Sequence, residues 1–143
     1  MPEPAQPVVC IVDDDEDIRE SLRFLFEEAA YIVEEAEDGD QALALLRADT
    51  TPRVVLLDRM MARLDGIQTL RRFSAESADA QRRAVFLVMS ARNDQPAPPD
   101  ADLIASYTFA TIFKPFHLDE LLATVERAAE LLARRQAEAL QSE

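Results

Sequence analysis

Arg53-Val54-Val55-Leu56-Leu57-Asp58-Arg59-Met60-Met61 is the stretch that decides the fold. Its aliphatic residues run from Val54 to Leu57 without polar alternation and stop at an acid. Alternation would mark a strand with one wet face. An unbroken run rich in valine and leucine marks a strand buried on both faces. Asp58 then stands at the strand's C-terminal end, the edge of an open α/β sheet where ligands bind.

Two other runs share this character. Val8-Val9-Cys10-Ile11-Val12 leads into Asp13-Asp14-Asp15-Glu16-Asp17, and Ala84 to Met89 leads into Ser90. Weaker strand signals cover Tyr31 to Ala36 and Thr111-Ile112-Phe113, the latter running into Lys114-Pro115-Phe116. Between the strands, apolar residues recur at helical spacing. One set is Ile18, Leu22, Leu25, Phe26 and Ala29. Ala42, Leu43 and Leu46 follow, stopped by Thr50-Thr51-Pro52. Ile67, Leu70 and Phe73 follow the Asp65-Gly66 turn, and Leu118, Leu121, Leu122, Val125, Ala129 and Leu132 close the chain.

Ser74 to Arg83 reads as a polar connection. Pro96, Pro98 and Pro99 argue against helix from Arg92 to Asp100, because proline lacks the backbone donor and restricts its predecessor. A short helix is expected from about Asp100 to Tyr107. Five strand–helix alternations predict one doubly wound α/β domain, a parallel sheet with helices on both faces.

The 143 residues suffice for one full-sized core, and 48% hydrophobic with 30% charged residues is an ordinary globular balance. No apolar run is long enough to span a bilayer. Residues 1–7 carry neither the basic region nor the apolar core of a signal peptide and read as a disordered lead-in. Cys10, the only cysteine, excludes an internal disulfide and reads as core packing. The cytoplasm is the expected compartment. A net charge of −13 argues against direct binding to nucleic acid, whose phosphates would repel the chain.

In a parallel sheet all strand C-termini share one edge. That edge gathers Asp13, Asp14, Asp58, Ser90 and Lys114. Clustered carboxylates suit Mg²⁺, which takes one or two of them plus waters and phosphate oxygens. Lysine adds a point charge for phosphate, serine a hydroxyl donor, and a carboxylate can itself become an aspartyl-phosphate. Each residue alone has a plainer reading: a solvated helix start for Asp13 to Asp17, a turn for Ser90, a surface lysine for Lys114. Their convergence on one edge outweighs those readings. Arg71-Arg72 and Arg82-Arg83 read as solvated pairs, and His117 as the cap of the last helix.

Val12-Asp13-Asp14-Asp15, Leu56-Leu57-Asp58-Arg59-Met60-Met61, Leu64-Asp65-Gly66, Met89-Ser90-Ala91 and Phe113-Lys114-Pro115-Phe116 occur in one order between Val8 and Ala129. Together they resemble the receiver domain of two-component response regulators, the CheY-like family. The resemblance implies a flavodoxin-like (βα)5 fold with strand order 2-1-3-4-5. It implies Asp58 as phosphoacceptor, Ser90 as switch hydroxyl and Lys114 as the phosphoryl-pairing lysine. Mg²⁺ would be held by Asp13, Asp14, Asp58 and the Met60 backbone carbonyl, and a cis bond would precede Pro115. The implied donor is a histidine kinase or histidine phosphotransfer protein. Chemistry is then limited to self-catalysed phosphotransfer and autodephosphorylation, not enzyme turnover. With residues 8–130 as the receiver and 131–143 as a helical extension or tail, no room remains for an output domain. A stand-alone receiver is therefore expected, signalling through a partner protein or a homodimer.

The chain departs from the family pattern in four places. Ala62 replaces a frequent proline. Thr111 stands where an aromatic residue usually turns inward as the switch hydroxyl moves, with Phe109 or Phe113 as candidate substitutes. The interval from Ser90 to Lys114 is a couple of residues longer than the family's and contains Pro96, Pro98 and Pro99, so a short, displaced or mobile fourth helix and signalling by loop rearrangement are expected. Met60 and Arg92 occupy positions that tune water access, and their bulk predicts slow self-dephosphorylation. Two other functions compete. A degenerate receiver would bind partners without phosphorylation. A small phosphohydrolase of the haloacid dehalogenase type would use Asp13 and Asp15 as an Asp-x-Asp pair, although no acidic pair follows Lys114 on a later strand end.

Overall fold

A computed structural model describes residues 7–141. The lead-in expected over residues 1–7 therefore lies, apart from Pro7, outside the described residues. The elements are β1 (Val8–Val12), α1 (Glu16–Glu28), β2 (Ile32–Ala36), α2 (Gly39–Ala48), β3 (Arg53–Asp58), α3 (Gly66–Phe73), α4 (Ala78–Arg82), β4 (Ala84–Ala91), α5 (Pro98–Tyr107), β5 (Thr108–Lys114) and α6 (Leu118–Gln141). The five strands form one parallel sheet in the order β2-β1-β3-β4-β5. This is the doubly wound α/β architecture expected from the uninterrupted apolar runs, with the flavodoxin-like strand order that the resemblance implied.

The runs are unbroken because the sheet has a core on each face. Successive side chains of a strand point to opposite faces. Val54 and Leu56 of β3 pack with Leu22, Phe26, Leu121 and Val125, from α1 and α6. Val55 and Leu57 pack with Leu43, Leu70 and Phe73, from α2 and α3. Cys10 belongs to the second core, where burial pushes its thiol up to about 12, so it packs as an inert apolar group.

Local signals place the helices that frame the sheet's C-terminal edge. Asp15 caps α1, its carboxylate accepting from the backbone N–H of Asp17 at 3.0 Å and Ile18 at 3.3 Å. Asp65 and Gln68 form a reciprocal capping box on α3. Gly66 lies directly beneath the end of β3: a Cβ there would stand 2.8 Å from the Asp58 carbonyl oxygen, so only glycine lets α3 start this close.

Several boundaries differ from the sequence reading. Helix α5 begins at Pro98, two residues earlier than expected, and the two prolines occupy its first turn. The N–H groups of a first turn have no intrahelical partner, so proline costs nothing there. The polar connection after α3 contains α4, capped by the Ser77 hydroxyl accepting from the Ala80 N–H at 3.1 Å. Strand β5 starts at Thr108, three residues early. Thr108 pairs with Phe86 and Ala110 with Leu87, leaving Phe109 as the extra residue of a bulge. Tyr31 precedes β2 and packs edge-on against Phe26, with ring centroids 5.8 Å apart. Helix α6 runs without a break to Gln141, and Leu132 on it is buried in the first core. Among the described residues no helix is long and apolar enough to cross a membrane.

Candidate functional site

The two central strands bring the acids together. Asp58 is the last residue of β3, and Asp13 directly follows β1, its N–H donating to the Ala36 carbonyl at 3.1 Å. Both are buried, at 6% and 1% exposure. Asp14 turns outward, and its carboxylate accepts from the Ala62 N–H at 2.9 Å. A proline at 62 could not make that bond. One carboxylate oxygen from each of Asp13, Asp14 and Asp58 lies within 4.8 Å of the others.

Lys114 ends β5, two strands away from Asp58, and only a long side chain could reach across β4. Its Nζ lies 3.2 Å from Asp58 Oδ1 and 3.8 Å from Asp13 Oδ2. The Lys114–Pro115 bond that follows is cis.

The electrostatics leave negative charge in excess. Burial, and then repulsion from Asp13, push the Asp58 carboxyl up to about 6 against the opposing pull of Lys114 and a hydrogen bond from the Met60 backbone. Asp13 is also raised, by burial first, against the Asp15 N–H and Lys114. Asp13 Oδ2 is fully buried and accepts no hydrogen bond. Two buried carboxylates facing one ammonium, with an orphaned oxygen and an exposed third acid beside them, fit a hard divalent cation.

Ser90 lies on β4 one residue beyond Met89, the pairing partner of Asp58. Its hydroxyl donates to Asp94 Oδ2 at 2.9 Å. Met60 holds its backbone at the site and its side chain in solvent, 67% exposed. Arg92 places its guanidinium 5.9 Å from the centroid of the Phe113 ring, stacked on the residue before Lys114. Thr111 is half-buried and lines a cavity of about 410 Å³ between α5 and β5, together with Phe109, Phe113, Ile104 and Ser90. His117 meets α6 through its backbone, its carbonyl accepting from the Leu121 N–H at 3.0 Å. Asp15, which a haloacid dehalogenase site would need as an acid–base group, is instead tied to the N-terminus of α1.

Three functional contributors were not read from the sequence. Arg19 is buried and donates to the Asp13 carbonyl at 2.7 Å while its Nε bonds Glu35 at 3.3 Å, fixing the backbone of the first acid. It shares the inward face of α1 with Leu22 and Phe26, and a charged residue at an apolar-stripe position is a signal that could have found it. Arg59 and Asp94 form an ion pair beside Ser90. Nothing in the local spacing announces that contact. Of the arginines read as solvated pairs, Arg71, Arg72 and Arg82 are exposed yet partnered, Arg71 with Asp100 at 3.0 Å, Arg72 with Asp40 at 2.9 Å and Arg82 with Asp79 at 3.5 Å, whereas Arg83 is half-buried and also pairs with Asp79.

Residues 9–126 match the family described as the response regulator receiver domain. Response regulator MprA of Mycolicibacterium vanbaalenii is 41% identical over 115 residues, covering 80% of this chain and 47% of that protein. MprA of Mycobacterium tuberculosis is 38% identical over 136 residues, covering 89% and 56%. The chain thus spans about half the length of these curated relatives. Among solved structures, a CheY-like receiver domain protein from Methanospirillum hungatei JF-1 superposes with a TM-score of 0.74 at 26% identity, covering 92% of this chain and 98% of that one. Family match, relatives and strand order agree: the chain belongs to the receiver domains of two-component response regulators, the phosphorelay signalling family.

Proposed function

We propose that the chain accepts a phosphoryl group on Asp58 from the phosphohistidine of a histidine kinase or phosphotransfer protein. The carrying observation is the Asp58 carboxylate itself: buried, 3.2 Å from Lys114, and grouped with Asp13 and Asp14 within 4.8 Å. An Asp58 oxygen attacks phosphorus, the P–N bond to the donor breaks, and the imidazole leaves with the electron pair. Lys114 balances charge on the phosphoryl oxygens, and the Ser90 hydroxyl, on the neighbouring strand, donates to one of them. Asp13, Asp14, Asp58 and the Met60 carbonyl would hold Mg²⁺, whose chemistry is to neutralise oxygen charge during transfer. Arg19 keeps Asp13 in place through its carbonyl.

Output passes through protein–protein contact. The phosphoryl group is lost slowly, because Arg92 and Met60 flank the site without offering a side chain that activates water. Titration with beryllofluoride and Mg²⁺, followed by amide chemical shifts, tests this reading. Saturable shifts around Asp58, Ser90 and Lys114 are expected, and Asp58→Asn should abolish them. Shifts that persist in the variant would place the ligand elsewhere.

A further inference from the structure

The β4–α5 connection carries a contact that the receiver motifs do not include. The Ser90 hydroxyl donates to Asp94 Oδ2 at 2.9 Å, while its other neighbour, the Ala91 carbonyl, is 3.5 Å away. The Arg59 guanidinium ion-pairs with that same Asp94 oxygen. Arg59 directly follows Asp58, and its backbone is pinned: its N–H donates to the Met89 carbonyl and its carbonyl accepts from the Gly66 N–H, both at 3.0 Å. Its side chain is almost fully buried, and Nε has no hydrogen-bond partner, so Asp94 is the group that neutralises it. One carboxylate oxygen therefore joins the residue after Asp58 to the hydroxyl on the next strand. All three residues line the cavity that Thr111 also borders.

A serine hydroxyl has one proton to donate. It cannot serve Asp94 and a phosphoryl oxygen at once. We infer that Asp94 is a positioning residue, anchored by Arg59, that holds the Ser90 hydroxyl on the β4–α5 loop until phosphorylation draws it to the phosphoryl group. The inference rests on Asp58 being the phosphoacceptor. The exchange moves a hydrogen bond and breaks no covalent bond. It releases the loop from β4 in a chain whose Thr111 cannot provide an aromatic rotation.

The test is the initial rate of phosphorylation by acetyl phosphate and Mg²⁺, measured for wild type, Asp94→Ala, Asp94→Asn, Ser90→Ala and the Ser90→Ala/Asp94→Ala double variant. A bond to a charged acceptor is worth roughly a tenfold factor, so Asp94→Ala should label up to about tenfold faster. Asp94→Asn, which keeps a neutral acceptor, should fall between it and wild type, and serves if Asp94→Ala folds poorly. A merely structural effect of Asp94 would persist without Ser90. The inference requires that the acceleration vanish in the Ser90→Ala background. Unchanged or slower labelling of both Asp94 variants, or equal acceleration with and without Ser90, overturns it. If wild type labels normally while that happens, the phosphoacceptor reading stands. If wild type takes no phosphoryl group, both fall.

Discussion

Lys114 cannot neutralise two buried acids, and that imbalance sets the behaviour of Asp58. Its carboxyl rises to about 6 in the folded chain, so the folded state holds the proton more tightly than the unfolded one. The stability gained from the neutral form is complete below the unfolded value, about pH 4, and is lost as pH rises through about 6. Metal-free Asp58→Asn is therefore expected to melt above wild type at pH 7.5, with the gap closing toward pH 4. Thermal melts in chelator across that range check this; a gap that widens on acidification would contradict it. At this scale the sequence was legible where a polar residue ended an apolar run, as at Asp13, Asp58, Ser90 and Lys114. It was silent on Arg59 and Asp94, because a side-chain contact across 35 residues has no local periodicity.

The elements that depart most from expectation are α5 and β5. The prolines at 98 and 99 spoke against helix on intrinsic grounds, yet at a helix start they stop being breakers, and the sequence does not say where the first turn falls. The bulge at Phe109 was equally invisible, since a register slip depends on the partner strand. Thr111, which the resemblance sets in an aromatic position, lines a cavity of about 410 Å³ between α5 and β5. Thr111→Phe should place a ring in that space and raise stability by about 1 kcal/mol, the usual return for filling a cavity. Urea unfolding measures the gain; a loss of stability would mean that the space is not available to a ring at this position.

The whole molecule was the most legible level. Three double-faced strands demand helices on both sides, whereas the strand order came from the resemblance to the receiver family and not from the apolar pattern. The far end of α6 was less so, because apolar spacing alone does not say where a helix leaves its core. Leu132 is buried in the first core, whereas Leu140 is 74% exposed. Leu132→Ala is expected to cost about 2–4 kcal/mol and Leu140→Ala less than about 0.5 kcal/mol in urea unfolding, as core and surface truncations differ. Equal costs would show that the helix packs differently beyond residue 130. With both faces of the sheet occupied by core, its C-terminal edge is the place where Asp13, Asp14, Asp58, Ser90 and Lys114 meet.

That convergence is tested most directly by intact mass after incubation with Mg²⁺ and acetyl phosphate, for wild type beside Asp58→Ala. The account predicts one added phosphoryl group on wild type, lost when Mg²⁺ is chelated beforehand, and none on the variant. Equal labelling of the variant, or a folded wild type that stays unlabelled and does not bind beryllofluoride, would contradict it.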